Sequence, residues 1–372
     1  MVGLLSRIIN EGVNAVSGDA KKNLFNIAIV LAISIGFIIW QFQGVDISTF
    51  FASMLKVNPW WLLAAFAAMF IYWFLEAVVL QTASKPANKD QRFFSSFRIT
   101  MIGQFFNTIT PMATGGQPAQ LVMLTKQGMD AGRGSSVLLV KFIIYQAMVV
   151  LNFLVILIFG IHYLMTGVTQ LKFLVLLGFG VHVLVIAALI LVGRSQKFTT
   201  KLVHVLLIPT RLFMKKEKVA NLRNTLDEKI ITFHEESSRI GKDWKLIVRC
   251  CFYTTLQLWI YFSIPFFILQ AIGVTGIGLY MAITYHAFII MFATVMPTPG
   301  GAGGAEYTFT LLFGMLLGPA KLLMALVLWR IITYYSCIVF GAGALLIKDT
   351  ASKKIKPRIE ALAKAPAKNI PQ

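Results

Sequence analysis

The sequence is poor in cysteine and in charge. Only three cysteines occur among the 372 residues, all in apolar segments: Cys250, Cys251 and Cys337. A disulfide framework or a thiolate metal site is therefore not expected. Charged residues make up 13% of the chain and hydrophobic residues 57%, with a mean hydropathy of +0.75. This composition excludes an ordinary soluble domain and indicates an all-α polytopic membrane protein.

The chain also lacks the residue groupings of common enzymes and metal sites. It has no P-loop, and the sequence "HEESS" at 234–238 lacks the second histidine of a zinc-protease helix. His162, His182 and His286 stand alone, without metal-ligand spacing. We therefore expect no metal, no cofactor and no dedicated ATPase, so that any transport would follow a gradient or run downhill.

Apolar runs long enough to span a membrane occur six times, and shorter runs lie between them. The long runs are Leu24–Phe42, Trp60–Thr82, Val137–Tyr163, Phe173–Gly193, Leu246–Gln270 and Lys321–Ile347. They define a membrane domain over 21–347. Residues 1–20 have no cleavage-site pattern and are predicted to form an amphipathic helix at the interface.

Basic residues outnumber acidic residues by 34 to 15, and their placement indicates topology. They concentrate beside the first run, in a connection at 194–245 and in the tail at 348–372. The connections at 43–59, 164–172 and 271–276 carry only Lys56 and Lys172. This positive-inside pattern predicts that both termini and the basic loop are cytoplasmic, with the loop against anionic headgroups. No nucleic-acid partner is expected, because no aromatic-interleaved binding motif accompanies the charge.

A short motif occurs twice. Residues 110–116 read "TPMATGG" and residues 298–304 read "TPGGAGG", each after an apolar run. "KFIIY" at 141–145 and "RIITY" at 330–334 follow at nearly equal distances, each with a basic residue four before a tyrosine. The unit of span, broken segment and span thus occurs at 60–163 and again at 246–347. The predicted structural breaks are Pro111, Gly115, Gly116, Pro297, Pro299, Gly300, Gly301, Gly303 and Gly304.

Counting the sides of the membrane gives the two broken segments opposite orientations. The first broken segment must start and end on the cytoplasmic side, and the second must start and end on the outer side. This predicts two re-entrant hairpins in an inverted-topology repeat. With the six full spans, this is the expected fold. Non-helical backbone at membrane depth is tolerated where it is buried in protein or lines a polar cavity. Ordinary interfacial loops are the alternative.

Ionisable residues inside the spans are candidate site residues by default. Arg330 is too deep to reach the interface, so we expect it to pair with Glu306, with Glu76 or with a lipid phosphate. Glu306 could instead be a helix-start carboxylate, Glu76 could bond within the bundle, and snorkelling is favoured for Lys141. The predicted substrate-binding residues are Arg330, Glu306, Lys141, Glu76, Gln117, Gln120, Tyr334 and Tyr145, and no catalytic residue is predicted.

Two stretches carry a family resemblance. "NTITPMATGGQPAQ" at 107–120, followed by a basic residue in the next span, and "PTPGGAGGAE" at 297–306 resemble the lysylphosphatidylglycerol synthase transmembrane-region family. That family includes the flippase half of the multiple peptide resistance factor, and the resemblance covers about 24 to 347. It implies a prokaryotic cytoplasmic-membrane protein with two re-entrant helices around a lipid-headgroup cavity. In the multidomain relatives a separate soluble domain makes the aminoacylated phosphatidylglycerol. About 25 residues follow the last predicted span here, so a standalone member without the synthase domain is expected.

Three functions remain open on this basis. The first is a flippase that moves an anionic or aminoacylated phospholipid, or a glycolipid, between leaflets. The second is a membrane subunit of the phosphatidylglycerol lysyltransferase family, or a scaffold, that works with a separate synthase or glycosyltransferase. The third is an enzyme that modifies a lipid at the cytoplasmic face, for which no catalytic grouping is found. The expected partners are membrane lipids, with a synthase and a second copy of the chain as further possibilities.

Overall fold

The computed structural model describes residues 54–88, 91–165, 169–208, 216–293 and 296–347. The predicted interfacial segment, the first predicted span and the basic tail lie outside these residues. The described part is helical apart from one isolated β-bridge, which confirms the all-α expectation. In chain order the helices are α1 (Pro59–Ser84), α2 (Phe93–Ile109), α3 (Gly116–Lys126), α4 (Ala131–Met165), α5 (Thr169–Arg194), α6 (Gln196–Leu206), α7 (Lys216–Lys242), α8 (Trp244–Ala271), α9 (Leu279–Ala293), α10 (Gly304–Phe313), α11 (Pro319–Arg330) and α12 (Ser336–Leu346), with a π-helical turn (Ile331–Tyr335) between the last two.

Within the described ranges, five helices are long and apolar enough to cross a membrane. They are α1, α4, α5, α8 and the continuous rod formed by α11, the π turn and α12, and they correspond to the last five predicted runs. The four helices α2, α3, α9 and α10 have 17 residues or fewer. All four are shorter than the roughly 20 residues of a typical span.

The helix pair α1 and α8 forms the most extensive contact among the described helices. Asn58 caps α1 by accepting a hydrogen bond from the Trp60 N–H at 3.0 Å. The Asn58 N–H in turn donates to the carbonyl of Ala271, at the end of α8, at 2.8 Å. The start of α1 is thereby tied to the end of α8, and buried Ala65 and Ala68 leave room for the two helices to run close together.

Polarity is distributed as expected for a protein whose solvent is lipid. Large apolar side chains such as Phe70, Ile158 and Leu184 are exposed, with relative exposures of 52%, 70% and 70%. Four charged side chains within the bundle are buried instead, namely Glu76, Lys141, Glu306 and Arg330. Charges inside a membrane face the bundle interior, where partners replace water, and this bundle follows that rule.

The stretch predicted as a basic loop at 194–245 is largely helical. It contains α6 and α7, and α7 packs against the start of α4. Lys229 on α7 forms an ion pair with Asp130 at 2.5 Å. Partial burial alone would raise the pKa of the Asp130 carboxyl, but hydrogen bonds from Lys229 and from backbone N–H groups lower that pKa overall. The ion pair therefore holds α7 in place at neutral pH.

Substitutions at two glycines of α12 can test how that helix packs on α2. A Cβ at Gly341 would lie 2.7 Å from the Met101 carbonyl oxygen and 2.6 Å from the Phe105 Cβ, whereas a Cβ at Gly343 would meet nothing within 4 Å. We expect Gly341→Ala to destabilise the fold by about 1–3 kcal/mol through overpacking. Gly343→Ala should be neutral or stabilise by about 0.5–1 kcal/mol, because alanine is the better helix former. Thermal unfolding in detergent measures both, and equal melting temperatures would contradict this packing.

Candidate functional site

The two Pro/Gly breaks meet in the folded chain, where Pro111 is exposed and Pro299 is half-buried. Pro111 and Pro299 form an isolated antiparallel β-bridge, the one strand-like contact of the described residues. One break joins α2 to α3 and the other joins α9 to α10. The two motifs matched from the sequence, 188 residues apart in the chain (299 − 111), therefore lie side by side in space.

The breaks also share a backbone conformation. The two residues after Pro111, Met112 and Ala113, both have φ of 53°. The two residues after Pro299, Gly300 and Gly301, have φ of 57° and 66°. In each break the second of these residues donates its N–H to the carbonyl of the threonine in the Thr-Pro pair, at 3.2 and 3.1 Å. The sequence match between the motifs is thus a structural match, even where the first break has side chains that left-handed backbone disfavours.

Side chains at the end of α2 and just after it satisfy the amides of the first break. The Gly115 N–H donates to Thr110 Oγ1 at 2.8 Å, and the Gly116 N–H donates to Asn107 Oδ1 at 2.9 Å. A Cβ at Gly116 would lie 2.1 Å from Asn107 Oδ1, so this position has no room for a side chain. Side chains of the protein thus cap the start of α3.

Glu306 performs the same task in the second break and also holds a cation. Its Oε2 accepts the N–H of Gly303 at 2.6 Å, and it lies 2.6 Å from Arg330 Nη2. The Glu306 and Arg330 residues are only 1% and 4% exposed. The expected pairing of Arg330 with Glu306 is present in the structure, and Glu306 is at the same time the helix-start carboxylate of the alternative interpretation.

Two aromatic rings pack against the guanidinium group of Arg330. The group lies over the rings of Trp329 and Tyr334, at 4.8 and 5.0 Å from their centroids, which are cation–π distances. The π turn begins at the next residue, Ile331, a feature often found at functional positions. The Tyr334 hydroxyl donates to the Thr108 carbonyl on α2 at 3.1 Å, so the last span is tied to the first hairpin.

Several buried polar atoms at this site have no hydrogen-bond partner within the described ranges. They are Glu306 Oε1 and Arg330 Nε, while Arg330 Nη2 meets Glu306 at ion-pair distance without hydrogen-bond geometry. A buried polar atom without a partner costs about 1–3 kcal/mol. Atoms left in this state on both members of one ion pair indicate a place for a ligand.

A second buried ion pair joins α1 to α4. Lys141 Nζ lies 2.9 Å from Glu76 Oε1, and Gln104 of α2 donates a hydrogen bond to the other carboxylate oxygen. Lys141 is 7% exposed and Glu76 is 9% exposed. The snorkelling interpretation of Lys141 is therefore wrong, because its ammonium finds a carboxylate within the bundle. Glu76 does bond within the bundle, as expected.

Aromatic side chains with polar atoms lie between the helices that carry the two ion pairs. The rings of Tyr72 and Tyr261 are 4.7 Å apart, and those of Tyr261 and His286 are 4.8 Å apart. Trp329 Nε1 donates to His286 Nε2 at 3.1 Å. Tyr145, the tyrosine of the first repeat, lies near Tyr72. His286 is thus a buried core histidine that bonds to a tryptophan beside Arg330.

The expected convergence of Gln117 and Gln120 on the Arg330–Glu306 pair stays a prediction. Gln120 packs its amide over Gly103, and within the described chain neither it nor Gln117 hydrogen-bonds to Glu306 or Arg330. Sequence reasoning missed Gln104 and Asn107, which complete the first pair and the first break. A polar residue late in an apolar run is a weak signal, although asparagine is a preferred cap.

The matched breaks allow a reciprocal test of strain. Ala113→Gly should stabilise the protein by about 1–2 kcal/mol, because glycine adopts the left-handed conformation without the cost that Ala113 bears. Gly301→Ala should destabilise it, since the new Cβ would lie 2.8 Å from the Ala293 carbonyl oxygen in addition to the positive φ. Thermal unfolding in the same detergent measures both changes. Shifts of the same sign would contradict the shared conformation.

Comparison with known proteins places both breaks and both ion pairs inside a family match. Residues 27–341 match the family described as the lysylphosphatidylglycerol synthase TM region. The chain is also 28% identical over 341 residues to a protein of Archaeoglobus fulgidus described as a UPF0104 membrane protein. That alignment covers 90% of this chain and 99% of the archaeal protein.

Proposed function

This chain belongs to the lysylphosphatidylglycerol synthase transmembrane-region family, and from that premise we propose that it moves a phospholipid between the two leaflets of the cytoplasmic membrane of a prokaryote. The substrate class is a lipid whose headgroup carries a phosphate together with an ammonium or hydroxyl group. Phosphatidylglycerol and its aminoacylated form belong to this class. No nucleotide or metal has a part in the proposal.

The observation that carries the proposal is the buried Arg330–Glu306 pair with unpartnered atoms on both members. Arginine presents several N–H donors in a planar fork that suits two phosphate oxygens, and Nε and Nη2 lie on one edge of that fork. Glu306 Oε1 is free to accept from a headgroup ammonium or hydroxyl. In this proposal the headgroup phosphate contacts Arg330, and the headgroup ammonium or hydroxyl group contacts Glu306. These two contacts replace the ion pair, so that neither charge is without a partner in the bilayer.

The described conformation is a closed one, because Arg330 and Glu306 are almost fully buried. In the proposed mechanism the two hairpins enter from opposite faces of the membrane, as the inverted repeat and the six-span topology predict. Separation of the hairpins on one face would admit the headgroup to Arg330. Lys141 and Glu76 offer a second ion pair, on the repeat of opposite orientation, for the same headgroup on its way to the other face.

The alternative of a membrane subunit or scaffold is less well supported. A scaffold has no use for an inverted repeat, and two buried ion pairs are a poor way to stabilise a bundle. Replacing such a pair by apolar residues is often neutral or stabilising, whereas removing one partner costs about 3–5 kcal/mol. This difference gives a test that separates structure from function.

The double variant Arg330→Met with Glu306→Gln removes both charges together and keeps an oxygen to accept the Gly303 N–H. We expect it to insert, to unfold at nearly the temperature of the unmodified protein and to lose lipid movement by an order of magnitude or more. Proteoliposomes with a nitrobenzoxadiazole-labelled phosphatidylglycerol measure the movement, since dithionite bleaches only label that reaches the outer leaflet.

The matched control is Asp130→Asn with Lys229→Met, which removes an ion pair outside the spans. This control should move lipid at the rate of the unmodified protein. Unchanged lipid movement in the folded Arg330/Glu306 double variant would contradict the proposal. Absence of movement in the unmodified protein as well would favour the subunit alternative.

A further inference from the structure

A second candidate site lies away from the breaks, where α5 ends and α6 begins. Only Ser195 separates the two helices, and its hydroxyl caps α6 by accepting the Phe198 N–H at 3.3 Å. The helix α6 has 11 residues, far fewer than a span needs. Because it leaves the end of a span without a linker, α6 starts at the level of the membrane surface.

The helix α6 presents two different faces. Phe198, Leu202 and Val205 share one face by their spacing and are exposed by 39%, 38% and 51%. Lys197 and Lys201 lie on the adjoining face. An exposed apolar stripe beside a basic stripe is typical of a helix that lies in the plane of the interface, with its apolar face among acyl chains.

The basic face of α6 lines a wide, open cavity of about 790 Å³, to which α7 contributes Arg223. Its lining includes three basic side chains, a hydroxyl group and two apolar residues at its edge: Lys197, Lys201, Arg223, Thr200, Val205 and Ile208. The basic residues supply donors for the oxygens of a phosphate, and the apolar edge adjoins the exposed stripe. Charge and shape thus suit an anionic group that carries an apolar tail.

Arg223 is held towards this cavity by its neighbours. Its Nη2 lies 3.0 Å from His204 Nδ1 and its Nε lies 3.1 Å from His204 Nε2, so the guanidinium lies against the imidazole ring. His204 Nε2 also lies 2.8 Å from Asp227 Oδ1. His204 and Asp227 are therefore positioning residues, which orient the guanidinium at the edge of the cavity.

We propose that this cavity binds the phosphate of an anionic phospholipid from the cytoplasmic leaflet, while the apolar stripe of α6 lies among the acyl chains. The site is independent of the translocation proposed above, because it shares no residue with either buried ion pair. A lysine near an anionic membrane surface contributes on the order of a fivefold preference for anionic over zwitterionic lipid. The two lysines should therefore give a clear enrichment.

Depth-dependent quenching tests this site in the full chain. Phe198→Cys, in a background with Cys250, Cys251 and Cys337 replaced by alanine, carries a bimane label in vesicles of mixed phosphatidylglycerol and phosphatidylcholine. We expect brominated phosphatidylglycerol to quench the label severalfold more strongly than brominated phosphatidylcholine at the same mole fraction. Lys197→Gln with Lys201→Gln should remove that preference while the label remains quenched by both lipids.

Lys242→Gln with Lys245→Gln is the matched control, since it removes the same charge from exposed positions that do not line the cavity. It should leave the preference unchanged. Equal quenching by the two lipids in the unmodified chain, or equal loss in both double variants, would overturn the proposal. Loss of the preference on adding inorganic phosphate would instead show a site for the free anion.

Discussion

The contact between Pro111 and Pro299 is the interaction on which the rest of the structure depends. Non-helical backbone cannot face lipid, because each unsatisfied N–H or C=O there costs several kcal/mol. Each break is held in two ways, by packing against the other break and by side-chain caps such as Asn107 and Glu306. The capped ends at Gly116 and Gly304 are buried, whereas Pro111 and Pro297 stay exposed. The shortness of the hairpin helices and the glycines at the turns follow from bringing the two breaks together.

The same contact explains where charge is placed. Arg330 follows the second break in sequence and faces the carboxylate that caps that break, so its ion pair exists only where the hairpin is folded. Tyr334 links this arrangement to the first hairpin through Thr108. Movement of one hairpin relative to the other would therefore change the partners of Arg330. In this account a lipid headgroup takes up the contacts that the hairpins release.

Much of this arrangement could be predicted from the sequence. The repeated Thr-Pro and Gly-Gly spacing predicted the two breaks, and the depth of Arg330 in an apolar run predicted a buried partner, with Glu306 first. The family was also confirmed, and five of the six expected spans are present in the described residues. The prediction of the breaks succeeded because it depends on local spacing. The prediction of the ion pair succeeded because an unpaired charge in lipid is costly.

The rest required tertiary information. Glu76 lies 65 residues before Lys141, and only the packing of α1 on α4 brings them together, so snorkelling was the wrong interpretation. The left-handed backbone of Met112 and Ala113 has no signature in residue type, because both are unfavourable there. The π turn after Arg330 and the helices within the basic loop likewise depend on their neighbours.

A cross-linking measurement tests most directly whether the two breaks meet in the membrane. Met112 is 55% exposed and Pro297 is also exposed, and the antiparallel bridge places them close together. A chain with Met112→Cys and Pro297→Cys, and no other cysteine, should be joined within one molecule by a short dithiol-reactive linker in native membranes. The pair Phe94→Cys and Met315→Cys, at the outer ends of the two hairpins, should not be joined. Failure of the first pair to cross-link, with both cysteines reactive to a monofunctional reagent, would contradict the account.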